Sequence, residues 1–274
     1  MCGIFAAIDD VWGPADAGVK SPGDIPLLND HEKNENNKAL SDTCKKLYHR
    51  GPDGMTVASG TIGNTNGQGA RWAMGHTRLA IVDPENRMAD MPFQLDFKNG
   101  DEETKIIKMT GNGEIYNHEV VYKNLVENDS WPHDKISASD CEVIAHCFAK
   151  HGGPETVKRL DGMFAFVIFE ENTKDGSVRA FAARDHVGIK PIYYGRTMSV
   201  NSESDKSMGG YVFSSELKAL VGHVEPSTVV AIPPGHYWTP EEGLVCYYNP
   251  EWLRKVRNIQ VPFLIKDNPR FIVR

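Results

Sequence analysis

Blocks of apolar and polar positions outline the elements of the chain. Residues 2–8 form an apolar run, which predicts a buried strand. Between residues 12 and 42 Gly, Pro, Asn, Asp and Lys dominate, which predicts a surface insertion covering residues 13–42. Residues 39–48 fit a short helix that the Gly51-Pro52 break ends. Residues 72–82 are apolar enough for two short strands around a turn. Residues 105–110 predict a strand that runs into Gly111-Asn112-Gly113, a stretch suited to unusual backbone angles.

Further along, residues 118–127 suit a short helix with Val121 and Leu125 one turn apart. The strongest helical signal is at 140–150. Val143, Ile144, Cys147 and Phe148 share a face there, Ser139 and Glu142 match an S-x-x-E capping box, and Gly152-Gly153 supplies the stop. Residues 163–169 are apolar at every position, so they predict a strand covered on both faces. Asp175-Gly176 would turn that strand back into residues 178–184. A second polar insertion, 198–210, separates strands at 193–194 and 211–213. Residues 215–221 give one or two helical turns, and 236–248 a last hairpin around Glu242-Gly243. Several antiparallel hairpins with a few helices indicate an α+β fold, not an alternating parallel βαβ pattern.

Composition removes several function classes. With 274 residues the chain has the length of one large domain or two small ones, and a net charge of −7 argues against a nucleic-acid partner. No apolar run approaches the roughly 18 residues of a membrane span. The N-terminus lacks the basic start and apolar core of a secretory signal, since Asp9 and Asp10 arrive early, and Cys at position 2 excludes myristoylation. The five cysteines (2, 44, 141, 147 and 246) are odd in number and widely spaced. That pattern fits a reducing, cytoplasmic setting better than a disulfide framework or a zinc site, and no ligand-spaced cluster calls for a metal.

Candidate chemistry starts at Cys2. Once Met1 is removed, a thiol and a free α-amine share one residue. An α-amine titrates near pH ~8, so it can accept the thiol proton, and one residue then carries nucleophile and general base. Four stretches follow in order: YHRGPDG (48–54), GHTRLAIVD (75–83), NGEIYNH (112–118) and SDCEVI (139–144). Singly, each has a structural reading: a solvated Arg, a turn at Asn112-Gly113, a carboxylate favoured at a helix N-terminus.

Together, in this order after Cys-Gly-Ile, they resemble the glutaminase domain of glutamine-hydrolysing asparagine synthetases. That domain is a class II glutamine amidotransferase with an N-terminal nucleophile. LDGMFAFVIFE (160–170), ARDHVGIKPIYYG (183–195), FSSELKAL (213–220) and PPGHYW (233–238) extend the likeness to about residue 252. The resemblance implies a four-layer αββα sandwich of the Ntn-hydrolase type, two antiparallel sheets flanked by helices, over residues 2–250.

It also implies roles. Cys2 would attack the carboxamide of L-glutamine, with its own α-amine as base. Asn112 and Gly113 would hold the oxyanion, and Arg50 would organise the nucleophile. Arg78 would take the α-carboxylate and Asp140 the α-ammonium, while Leu79, Ala80, Ile81, Val82 and Glu114 line the pocket. His49 and His118 are read as structural. The glutaminase step needs no cofactor on this reading. ATP and Mg²⁺ enter only with a synthetase domain, whose Ser-Gly-Gly-Leu-Asp-Ser-Ser phosphate loop does not occur here. The tail at 251–274 carries six Lys or Arg against two acids and is read as the remnant of a linker to that domain. The expected partners are therefore L-glutamine and a synthetase domain or subunit that takes up ammonia, with room for a homodimer and none for nucleic acid or membrane. The alternative is a catalytically silent amidotransferase-like binding or regulatory module.

Overall fold

The strand predicted to have no solvent face is the best guide to the architecture. In the computed structural model, which describes residues 1–9, 30–62, 70–99, 103–174, 176–197 and 210–252, it is β6 (Gly162–Asn172). Its side chains alternate between two cores, as a period of two requires. Phe164, Phe166 and Ile168 pack with Val143, Ile144 and Phe148 of a helix. Ala165, Val167 and Phe169 pack with Ile4, Ala6 and Ile8 of β1 (Gly3–Asp9) in another sheet. β1 alternates in turn, sending Phe5 and Ala7 to a third core against Leu40, Cys44 and Leu47. Each buried Phe or Ile of this kind contributes about 1.5–3 kcal/mol, so three stacked cores fix the layers.

The first sheet holds β1, β2 (Gly54–Ile62), β3 (Ala70–Arg78), β8 (Tyr193–Arg196), β9 (Tyr211–Ser214) and β10 (Val230–Ala231), in the order β10-β8-β9-β1-β3-β2. The second holds β4 (Phe93–Asn99), β5 (Glu103–Ile115), β6, β7 (Val178–Arg184), β11 (His236–Thr239) and β12 (Gly243–Cys246), in the order β12-β11-β7-β6-β5-β4. Neighbours pair antiparallel throughout. α1 (Asp30–Lys45) covers the outer face of the first sheet. α2 (His118–Asn128), α3 (Glu142–His151) and α4 (Gly153–Arg159) cover that of the second. The result is the four-layer αββα sandwich.

Five local expectations are corrected. The helix expected at 39–48 is α1, which starts at Asp30 and so takes in part of the supposed polar insertion. Leu40, Cys44 and Leu47, all about fully buried, anchor its C-terminal end on β1 and β3. Residues 72–82 make one strand, not two, because the chain leaves the sheet after Arg78. β5 continues through Gly111-Asn112-Gly113, which pair with Phe166, Ala165 and Phe164 of β6, so this stretch is ladder and not a turn. The capping box does not form. Cys141 caps α3 without a side-chain bond, and the Glu142 carboxylate accepts instead from the N–H groups of Ile136 at 2.7 Å and Ser137 at 2.9 Å. After Gly152, at φ 77°, the chain enters α4, which the pattern did not suggest. Residues 10–29, 198–209 and 253–274, covering much of both insertions and nearly all of the tail, lie outside the described residues.

The candidate active site

Cys2 sits one residue before β1, and the fold holds it through its neighbours. Gly3 N–H donates to Thr77 Oγ1 at 3.1 Å, and Thr77 donates on to Leu47 O. Ile4 N–H donates to Ser215 Oγ. A Cβ on Gly3 would stand 2.6 Å from Thr77 Oγ1 and 2.7 Å from Leu47 Cβ, so no larger residue fits beside the cysteine. Arg50, with its side chain 8% exposed, donates from Nε to Cys2 O at 3.0 Å and from Nη1 to Glu216 Oε1 at 3.0 Å. Burial opposes charge on Glu216, but hydrogen bonds from Arg50, Lys218 and His49 outweigh it and hold its pKa down at about 2. Arg50 thus grips the nucleophile's backbone while anchored to a permanent anion. His49 is one of that anion's partners, at 2.9 Å.

Leu79 and Asn112 are grouped around Cys2. Leu79 N–H donates to Cys2 Sγ at 3.3 Å, and the thiol faces Leu79 O at 3.8 Å. Cys2 N–H donates to Asn112 Oδ1 at 3.1 Å. With Met1 attached this nitrogen is an amide, and it stands where the α-amine of a processed chain would be. Asn112 is 3% exposed, and its Nδ2 is buried with no hydrogen-bond partner among the described residues.

The Gly113 N–H follows from strand register. Phe164, its partner on β6, directs its N–H to Asp185 Oδ2 at 3.2 Å and its C=O to Asp185 N–H at 2.8 Å. In an antiparallel ladder a residue that turns both groups to one neighbour leaves a non-hydrogen-bonded pair on the other side. Gly113 therefore points its N–H away from β6, past the start of β4 and toward the cavity it lines. Gly111, two residues back, points the same way and donates to Met91 Sδ at 3.1 Å. Glycine is required at 113 because a Cβ would meet Met163 O at 2.5 Å and Phe164 Cβ at 2.9 Å.

These groups open on a cavity of about 270 Å³. Cys2, Arg78, Leu79, Ile81, Val82, Asn112, Gly113, Glu114 and Asp140 line it together with residues the sequence reading did not single out, among them His76, Cys141 and Lys190. Met1 also lines it, so removing Met1 would enlarge the space. Arg50 and Ala80 stand behind the wall, and Ala80 N–H is held by Asp53 Oδ2 at 2.8 Å. Asp140 is fixed by Ile115 N–H, which donates to its Oδ2 at 2.6 Å.

Arg78 is bound mainly to its own loop. Nη2 donates to Val82 O at 2.9 Å and Asp83 O at 2.7 Å, and Nη1 donates to Asp90 Oδ1 at 2.6 Å. Its first structural effect is to curl residues 79–90 into a cavity wall while keeping the guanidinium at the cavity's edge. Lys190 is 6% exposed, and its N–H is one of five that converge on the buried Asp185 carboxylate, with those of Phe164, Val187, Gly188 and Ile189. That hub joins the ladder behind Gly113 to the turn carrying Lys190.

Burial separates the cysteines. It raises Cys44 to about 12 and Cys147 to about 11, and raises Cys141 through burial and the adjacent Asp140, so these three remain thiols. Cys2 is only half-buried and is approached by an N–H. Burial also drives His76 down to about 4, against a hydrogen bond to the Gly111 carbonyl, so the imidazole is neutral. Among the described residues no group of three His, Cys, Asp or Glu is placed to hold a metal, and no helix is long and apolar enough to cross a membrane.

Asparagine synthetase [glutamine-hydrolyzing] 3 of Arabidopsis thaliana is 38% identical over 220 residues, which cover 79% of this chain and 31% of that protein. Asparagine synthetase [glutamine-hydrolyzing] 2 of Oryza sativa subsp. japonica is 36% identical over 255 residues, covering 92% and 33%. The chain thus spans about a third of the length of these curated relatives. Among solved structures, the allosteric regulatory enzyme of purine biosynthesis superposes with a TM-score of 0.57 at 20% identity, over 91% of this chain and 50% of that one. Glutamine phosphoribosylpyrophosphate amidotransferase from B. subtilis gives 0.54 at 21%, over 89% and 48%. At such identities the likeness is one of fold alone. A family model described as a glutamine amidotransferase domain matches residues 25–235, and with that match the chain belongs to this family.

Proposed function

We propose that this chain hydrolyses L-glutamine to glutamate and ammonia through a thioester on Cys2, and that the ammonia serves ATP-dependent asparagine synthesis on a synthetase domain or subunit. One observation carries the reading: Cys2 Sγ, the Cys2 nitrogen, the orphaned Nδ2 of Asn112 and the Gly113 N–H meet at the end of one cavity. After Met1 is removed, the α-amine takes the thiol proton, directly or through a water. Sγ bonds to the amide carbon, and Asn112 and Gly113 donate to the oxyanion. Such a donor is typically worth roughly 3 kcal/mol of barrier. The protonated amine then hands its proton to the departing ammonia, and water opens the thioester. Asp140 binds the α-ammonium and Arg78 the α-carboxylate, with the wall at 79–82 and Glu114 lining the remainder. The nucleophile, base and oxyanion donors all belong to the chain, so the hydrolysis draws on no cofactor. ATP and Mg²⁺ belong to the synthetase step.

We place the activity in the cytoplasm. The five free cysteines support that reading. Residues 2–250 form the amidotransferase unit, with the basic segment from 251 onward as a link toward the ammonia acceptor.

The test is release of glutamate from glutamine by purified protein with a free Cys2 terminus, compared with Cys2→Ala. Turnover by the first and none by the second is expected. No release from the processed protein would overturn the proposal in favour of a silent binding module.

A further inference from the structure

Two loops form much of the cavity rim, and among the described residues no strand ladder joins them. One, residues 79–90, is curled by Arg78. The other, residues 136–141, carries Ser139 and Asp140 into the cavity and is held from below by Glu142. They meet at Asp83. Its Oδ2 accepts from Ala138 N–H at 2.9 Å across the rim and from Asn86 Nδ2 at 2.8 Å within its own loop. Its C=O accepts from Arg78 Nη2 at 2.7 Å. Asp83 is also one of only two non-glycine residues among the described residues with positive φ, at 52°. A left-handed backbone is unfavourable for most side chains and is tolerated best by Asn, Asp and Gly. If geometry alone were needed, Gly would serve. A carboxylate in that conformation points instead to a use for the carboxylate.

We propose that Asp83 is a positioning residue that latches the Arg78 loop to the Asp140 loop and so sets the span between the two ends of the substrate pocket. The proposal rests on the glutamine reading above for its kinetic consequence but not for its structural one. Asp83 touches no reacting atom. It acts through Arg78, whose donors it helps to seat, and through Ala138, two residues before Asp140. Since the latch joins the binding groups and leaves Cys2, Asn112 and Gly113 untouched, its loss falls on affinity.

Three variants separate the possibilities. Asp83→Gly keeps the backbone conformation and removes the latch. Asp83→Asn keeps both the conformation and a side-chain oxygen for Ala138. Asn86→Ala leaves Asp83 in place and removes one of its partners. For Asp83→Gly, KM for glutamine should rise about tenfold, the scale of one hydrogen bond to a charged group, while kcat stays within about threefold. Asp83→Asn should restore most of the affinity, and Asn86→Ala should raise KM less, in the same direction. Hydrogen exchange supplies a readout independent of turnover: the Ala138 amide should exchange about tenfold faster in Asp83→Gly than in wild type.

A wild-type KM in Asp83→Gly, or equal KM defects in the Gly and Asn variants, would overturn the positioning role. Unchanged exchange at Ala138 would overturn the latch itself. If the unmodified enzyme fails to hydrolyse glutamine but Ala138 still exchanges faster in Asp83→Gly, the latch stands and only the assigned reaction falls.

Discussion

Cys2 and Asp140 face the same cavity, but they are held by different kinds of structure. Cys2, the proposed nucleophile, stands at the start of a central strand. Gly3 and Ile4 are fully enclosed, their N–H groups are bonded to buried hydroxyls, and Arg50 clamps the cysteine's carbonyl from behind. Asn112 and Gly113, the proposed oxyanion donors, lie on β5, locked in register with β6 and backed by the Asp185 hub. The proposed substrate wall lies beyond the strand ends. Ile81 and Val82 are 64% and 40% exposed, and the loop around them is shaped by bonds from Arg78 and Asp83 to backbone groups. The groups proposed to make and break bonds share the rigidity of the core, whereas the groups proposed to select the substrate sit on adjustable loops. The same division explains why loops carry specificity on a fixed scaffold.

The comparison breaks most readily on the core side. Asn112→Ala should lower kcat for glutamine hydrolysis about 10²- to 10³-fold with KM little changed, measured as glutamate release. A matching rise in KM with kcat preserved would place Asn112 among the binding groups instead. On the loop side, Asp140→Asn can still accept from Ile115 N–H but loses its charge. It should raise KM about tenfold to a hundredfold and leave kcat close to wild type, the scale of a charge-assisted hydrogen bond. A fall in kcat with unchanged KM would erase the distinction between the two sides.

A smaller effect concerns stability. His76 lies in the core side of the cavity wall with its pKa lowered from 6.5 to about 4 by burial. The folded state therefore takes up the proton later than the unfolded state. The support that neutral His76 gives the fold is complete above pH 6.5 and is lost as pH falls from 6.5 toward 4, about 3 kcal/mol at most. Urea titrations between these pH values should show the decline, and His76→Gln should flatten it. An unchanged slope in His76→Gln would assign the decline to other groups.

Sequence alone disclosed the parts governed by short periods. The double-sided apolar pattern at 163–169 is the middle layer, and the hairpins at 163–184 and 236–248 fall where turn residues predicted them. β2 mixes Gly, Thr and Ser among its apolar residues and does not stand out, and α4 is too short to show periodicity; β4 does alternate Phe93, Leu95 and Phe97 with Gln94, Asp96 and Lys98, a period of two. The motif residues Cys2, Arg78, Asn112, Gly113 and Asp140 were legible through their order, and the fold brings all five to one cavity. Three things were not legible. The reason for glycine at 113 lies in Met163 and Phe164, about 50 positions away, and Asp185 is invisible as a hub until five N–H groups converge on it. Asp83 lay within a quoted motif, yet its latch needs Ala138 to be seen beside it. Such contacts are set by register and loop path, which no local pattern encodes.

The account turns on Cys2 acting as a free terminal residue. The direct measurement is peptide mass analysis after reaction with the glutamine-like electrophile 6-diazo-5-oxo-L-norleucine. A single adduct on Cys2 in protein lacking Met1 is the predicted result. Adducts on Cys246 or another cysteine, or labelled protein that still carries Met1, would contradict it.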